Sequence, residues 1–282
     1  MSDISLPDRY DVLRRKADSR MAEIIDPVDA ALDHLDDVVV DMNASGRGAF
    51  MILRGDSGTG KSTFIHTVDL FRDNVEVVSV PKSTEVSTAL EELRPTTCAL
   101  RIVVLEGREA LTDISLEFLE KAVHAINAFL RNEAGERTLV AWTVNTDDLA
   151  SRLAGLADAI GAEALLGLGE PVYRFSGPEK AKFLSIANNT LARLNQGQSI
   201  HDLGISDQRA RDLLQDSQTI GSFLASVRRE LTSNERHIRS LAKKDRCRVW
   251  CVVVAGNDPD NDVDGITRGT MYSADIDRLL AV

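Results

Sequence analysis

One octapeptide in this chain combines residue types and spacing suited to holding a phosphate chain. Gly55-Asp56-Ser57-Gly58-Thr59-Gly60-Lys61-Ser62 matches G-x-x-x-x-G-K-[ST] without a mismatch. Glycines let backbone N–H groups curl around an anion, and the N-terminus of a following helix adds its dipole. In such a loop Lys61 reaches the β- and γ-phosphates and the Ser62 hydroxyl ligates Mg²⁺. A chance match in a chain of this length is on the order of one in a hundred. The alternative is a Gly-rich turn of an α/β fold. Context disfavours it, because an apolar run (49–53) precedes the loop and a helical pattern (61–71) follows it.

The elements that must position this loop form a regular alternation. Residues 49–53, 75–80, 100–105, 138–144 and 172–175 read as strands. The spacing predicts helices over 61–71, 84–93, 115–131 and 147–166. Apolar β-branched runs separated by helices imply parallel strands covered on both faces, which is a doubly wound α/β domain. Before it, residues 28–42 carry apolar positions at helical spacing, and 43–48 form a break. After residue 175 the pattern turns wholly helical. Ser176-Gly177-Pro178-Glu179 has capping-box spacing, and Leu184, Ala187, Leu191 and Leu194 give a helical stripe. Further helices fit 206–215 and 219–231.

This order of phosphate loop, second strand, acidic third strand, polar-ended fourth strand and helical lid resembles the AAA+ and related STAND branch of P-loop ATPases. The resemblance covers roughly residues 20–235. It implies a three-layer parallel sheet with a C-terminal helical lid, and ATP with Mg²⁺ as ligands. Residues 55–62 would bind the nucleotide. Glu106, in Ile102-Val103-Val104-Leu105-Glu106-Gly107-Arg108-Glu109, would hold the metal with Ser62, at the end of the strand expected beside the phosphate-loop strand. The family pattern has Asp then Glu where this chain has Glu106 then Gly107. That departure leaves Glu109 as the substitute candidate for the general base. Asn145 fits the polar residue of the sensor strand; alternatively it is a turn residue before a helix capped by Asp147 or Asp148. Arg228 and Arg229 resemble the lid arginine that senses the γ-phosphate, or lie on a solvated helix face. Between Asn145 and Pro171 the only arginine is Arg152, too early for the arginine that reaches a neighbour's nucleotide.

Composition bounds the remaining possibilities. The 33 Lys and Arg against 44 Asp and Glu give a net charge of −11, so bulk charge does not draw this chain to DNA. Aromatics are only 5%, which argues against a stacking surface for single strands. Residues 226–248 are the basic exception, with eight Lys and Arg against three acids. They would contact nucleic-acid phosphates, pair with acidic helices of another subunit, or form a solvated helix. The longest wholly apolar run, 249–255, is far below the roughly 20 residues of a spanning helix, so no membrane role is expected. Cys98, Cys247 and Cys251 suit a reducing cytoplasm better than a disulfide framework. Asp260-Asn261-Asp262-Val263-Asp264-Gly265 imitates half a calcium loop, but Met271 stands where its last ligand, Glu, belongs.

The expected divisions are a helical segment (1–48), the nucleotide-binding α/β domain (49–176), a helical lid (177–245) and a strand-and-loop segment (246–282). The last is expected to begin a further domain and to pack poorly on the core. The function expected is an Mg²⁺-dependent ATPase that couples nucleotide state to lid movement, with a homo-oligomer or protein partner. The alternative is a non-hydrolysing ATP sensor or scaffold. A GTPase and a small-molecule kinase rank lower: Asn145-Thr146-Asp147-Asp148 only faintly resembles a guanine-reading motif, and no acceptor-binding lid is recognisable.

Overall fold

The computed structural model describes residues 4–110, 114–161 and 171–244. Among the described residues there are five strands: β1 (Ala49–Arg54), β2 (Val75–Val80), β3 (Leu100–Leu105), β4 (Thr138–Val144) and β5 (Val172–Arg174). Around them lie α1 (Tyr10–Ala17), α2 (Met21–Ile24), α3 (Asp29–Ser45), α4 (Lys61–His66), α5 (Val86–Glu91), α6 (Leu116–Leu130) and α7 (Asp147–Ile160). Three further helices follow β5: α8 (Phe183–Leu194), α9 (Asp207–Asp216) and α10 (Ile220–Lys244).

All strand pairs are parallel, in the order β2-β3-β4-β1-β5. The pleat sends alternate residues to opposite faces. Ile102 and Val104 pack with Leu32, Leu35 and Ile65 from α3 and α4, while Val103 and Leu105 pack with Leu119, Val123 and Leu153 from α6 and α7. The molecule is thus a three-layer α/β sandwich, as the sequence pattern requires. β3 and β4 are buried along their whole length, which is why they read as largely apolar runs, broken only by Arg101, Thr138 and Thr143. α8, α9 and α10 share a separate core around Ala187, Leu191, Phe223 and Val227, forming the helical part after the sheet.

Several local expectations are corrected. The phosphate-loop strand does not lie beside the acidic strand: β4 is inserted between β1 and β3. The helix over 61–71 stops at His66, where the Thr67 hydroxyl donates to the Thr63 carbonyl at 2.7 Å, and a 3-10 turn takes over at Val68–Leu70. Ser176 and Glu179 form no capping box; a 3-10 turn at Lys180–Lys182 leads into α8, and Lys182 at its start makes no side-chain cap. Thr146, not Asp147 or Asp148, caps α7 by accepting from Leu149 N.

Residues 1–234 form one compact unit and 235–282 a second. In the first, Leu6 is buried in the core of the lid helices, and Leu13, Ala17, Met21 and Ile24 pack against Leu194. The second is described only over its helical residues 235–244, where Arg239 pairs with Glu235 at 2.6 Å. The strand expected at 248–255, the Asp-rich loop and the helical start at 274–280 lie outside the described residues.

Candidate functional site

The octapeptide forms the turn between β1 and α4. Gly55 N–H donates to the Val144 carbonyl at 3.1 Å, which ties the loop's start to β4. Thr59 N–H and its hydroxyl both donate to the Asp56 carbonyl, at 3.2 and 2.9 Å. Gly58 and Gly60 have φ of 86° and 98°, the left-handed region in which a side chain is strained. Gly60 leads directly into α4, so the helix N-terminus opens onto the loop.

Lys61 is the best-held charge of the site. Its side chain is buried, at 5% exposure, and its Nζ donates to the Gly55 carbonyl, to the Asp56 carbonyl at 3.0 Å and to Asn145 Oδ1 at 2.9 Å. Burial pushes the amine down to about 8, against the attraction of Glu109. Asn145 is fixed in turn by its own N–H, which donates to the Glu109 carbonyl at 2.8 Å. The ends of β1, β3 and β4 thereby bring Lys61, Glu109 and Asn145 together.

A cleft of about 800 Å³ runs from the phosphate loop to the lid helices. Lys61, Ser62, Glu106, Glu109 and Asn145 line its polar part. Ile25, Val28, Phe175, Ile186 and Leu224 line an apolar part, which suits a flat aromatic base. Gly221, at the start of α10, closes on the loop itself: its N–H donates to the Gly58 carbonyl at 2.8 Å. Ser62, Glu106 and Glu109 supply hard oxygen donors, which fit Mg²⁺. Among the described residues no three His, Cys, Asp or Glu form a cage. Such a sparse donor set fits an ion that takes most ligands from phosphate and water.

Glu106 has a partner that the sequence did not suggest. His66 Nε2, at the end of α4, lies 2.9 Å from Glu106 Oε1, with the imidazole buried and the carboxylate 41% exposed. Burial outweighs the carboxylate and holds the His66 pKa below its ordinary value. Tyr10 of α1 stacks on the imidazole, 4.7 Å between centroids and 6° between planes. Glu109 Oε1 accepts from Gly107 N–H at 3.2 Å. Arg108 is a second residue that motif reading missed. Its buried guanidinium donates to the carbonyls of Val80, Glu106, Pro81 and Thr84 at 2.6–3.0 Å, locking the loop that carries Glu106 and Glu109. Trp142 Nε1–H donates to the Arg108 carbonyl at 3.0 Å.

The two lid arginines do not join this cluster. Arg228 is engaged by Asp8, at 2.6 and 3.1 Å, and Arg229 is exposed; neither lines the cleft. Asp56 is paired with Arg54 at 2.6 Å on the far side of the loop, and Ser57 lines the cleft. Asp147 is bound by Arg54 and Arg174, each at 3.0 Å. Of the basic run 226–248, residues 245–248 lie outside the described residues.

No protein-family model matches this chain, and no curated protein matches it. Solved structures similar to it include Drosophila ORC bound to DNA, at 14% identity and TM-score 0.43, covering 84% of this chain and 65% of that one. Another is the Aeropyrum pernix ORC2 protein in its ADP form, at 11% identity and TM-score 0.46, covering 82% and 69%. A DNA polymerase III gamma subunit-related protein of Thermotoga maritima is similar at 11% identity and TM-score 0.35, covering 74% and 78%. The chain thus spans just under two thirds of the Drosophila chain's length. The class rests on the chain's own architecture: a parallel five-stranded sheet, a phosphate loop between β1 and α4, and helices after β5. This is an α/β P-loop fold. Glu106 directly after β3, Asn145 directly after β4 and the C-terminal helices follow one another in the same chain order as the motifs that resemble AAA+ ATPases.

Proposed function

We propose that this chain is an ATP-binding module of AAA+ or STAND type, working with Mg²⁺ in a cytoplasmic setting and coupling nucleotide state to its helical lid. The observation that carries this reading is Lys61, held by loop carbonyls and Asn145 at the mouth of a cleft whose far wall is apolar. In the reading, loop N–H groups and Lys61 hold the β- and γ-phosphates, and the base lies against Ile25, Val28 and Phe175. Ser62 and Glu106 would hold Mg²⁺, which would screen phosphate charge. Asn145 orients the attacking water and Glu109 takes its proton, with the β–γ anhydride bond breaking to leave ADP and phosphate. ATP is favoured over GTP because Asn145, the first residue of the faint guanine-reading motif, is engaged by Lys61, and Thr146, which stands where that motif has Lys, caps α7. Residues 226–248 are proposed as the contact for a partner, nucleic acid or protein.

A second reading, a sensor that binds ATP without hydrolysing it, is favoured by Gly107. Its φ is +71° and an added Cβ would sit 3.0 Å from Lys82 Cβ, so the family's glutamate has no relaxed place here. Equilibrium titration with ATP and GTP, with and without Mg²⁺, followed by phosphate release, tests both readings. Binding with turnover supports the ATPase, and binding without turnover supports the sensor. No nucleotide binding overturns both.

A further inference from the structure

Residues 5–10 are anchored at both ends of the cleft. At the lid end, Leu6 is buried in the lid core. Ser5 N–H donates to Asn195 Oδ1 at 2.7 Å, and the Ser5 carbonyl accepts from Asn195 Nδ2 at 2.8 Å. Asp8 then accepts from both terminal nitrogens of Arg228 on α10, at 2.6 and 3.1 Å. At the other end the Tyr10 ring lies flat on His66, which is in contact with Glu106. Only Arg9 separates Asp8 from Tyr10, two residue steps or at most about 7 Å of chain, so the connection has little slack.

We infer that residues 5–10 are a strap that couples the Glu106 carboxylate to the lid, so that engagement of Glu106 by an Mg²⁺–nucleotide is felt in the lid helices. The inference rests on the nucleotide reading above. The His66 imidazole has Glu106 at its edge and Tyr10 on its face. A carboxylate drawn toward a cation reorients its hydrogen bonds, and a ring stacked nearly face to face must follow or lose the stack. Tyr10 follows the ring, Asp8 follows Tyr10, and Asp8 holds Arg228 bidentately. The strap thereby supplies a link between phosphate site and lid that does not need a lid arginine in the cleft. This is a two-site coupling through one continuous set of contacts.

Hydrogen exchange across lid residues 183–231 of the full chain reads the coupling directly. It is measured with ATP plus Mg²⁺ and with ATP plus chelator, alongside ATP affinity. In the wild type, Mg²⁺ is expected to slow lid exchange several-fold beyond ATP alone. Asp8→Asn and Tyr10→Ala cut the strap at opposite ends. Each is expected to bind ATP within about threefold of wild type yet lose the Mg²⁺-dependent lid protection, while Tyr10→Phe retains it. Two cuts at separate points keep the test decisive if one variant does not fold. Persistence of the protection in a cut strap overturns the inference, as does its absence from a wild type that binds ATP. Loss of ATP binding in a folded variant also overturns it, because the segment then belongs to the binding site. A wild type that binds no ATP overturns the nucleotide reading, and the strap with it.

Discussion

Raising the pH removes the Lys61 charge without any change of sequence. Burial holds this amine at about 8, below the 10.5 of a free lysine. A bound triphosphate places negative charge beside the amine and favours its protonated form, so the complex titrates higher than the free protein. Below pH 8 Lys61 is protonated in both, and affinity is independent of pH. Above it, the free protein must take up a proton to bind. Affinity therefore falls by about tenfold per pH unit, until the pH reaches the pKa in the complex. At about pH 9 the uptake approaches 0.9 proton per ATP. Isothermal titration in two buffers of different ionisation enthalpy measures that proton directly. The same shift acts on folding with the opposite sign. The unfolded chain holds its lysine proton up to 10.5, so this group's contribution to stability rises between pH 8 and 10.5 as the burial penalty is relieved. ATP affinity that stays flat from pH 7.5 to 9.5, with no proton uptake, would refute the reasoning.

Glu106→Gln is expected to lower Mg²⁺-dependent turnover by roughly 100-fold or more while changing ATP affinity much less, because in the proposed ATPase the loop would hold the phosphates without it. Steady-state kinetics beside Glu109→Gln separate metal ligand from base, and wild-type turnover in Glu106→Gln would move the metal role elsewhere. Arg108→Lys is expected to cost about 3 kcal/mol in urea denaturation. A lysine cannot serve the four carbonyls that the guanidinium spans, and each buried acceptor left unpaired costs about 1–3 kcal/mol. A loss under about 1 kcal/mol would show that the loop re-packs freely. Gly177→Ala puts a methyl group against the Thr59 carbonyl oxygen at a residue with φ +80°. The expected loss is about 2–5 kcal/mol, from roughly 1–2 for the left-handed backbone and about 1–3 for overpacking. Gly155→Ala on α7, where nothing lies within 4 Å, serves as the control and is expected to stabilise by up to about 1 kcal/mol.

The central strands could be read from sequence because burial on both faces makes 100–105 and 138–144 largely apolar, with Arg101, Thr138 and Thr143 the exceptions, a local signature that needs no knowledge of neighbours. The phosphate loop was equally legible, since its chemistry is confined to eight consecutive residues. Strand order was not: the insertion of β4 between β1 and β3 depends on pairings some 40 to 90 residues apart, which leave no local trace. The Ser176–Glu179 segment failed as a cap for a physical reason. Gly177 passes against Thr59 of the phosphate loop, and Phe175 N–H donates to the Arg54 carbonyl, so this stretch is spent on the site. Arg108 carried no pattern, being one arginine after a strand. Tyr10, His66 and Asp8 were equally silent, because their partners lie dozens to hundreds of residues away.

The most direct measurement is ATP affinity of the wild type against Lys61→Ala, each with Mg²⁺ at pH 7.5, with the fold of both checked by thermal unfolding. If residues 55–62 hold ATP as proposed, Lys61 would contribute a charge-assisted contact of about 1.5–3 kcal/mol to the phosphates, and its loss is expected to weaken binding by roughly 10- to 150-fold. Its relief from burial should leave the variant folded, because a charged amine is costly in that position. Equal ATP affinity in wild type and folded Lys61→Ala, or no binding by the wild type, would contradict the assignment of residues 55–62 as a nucleotide site.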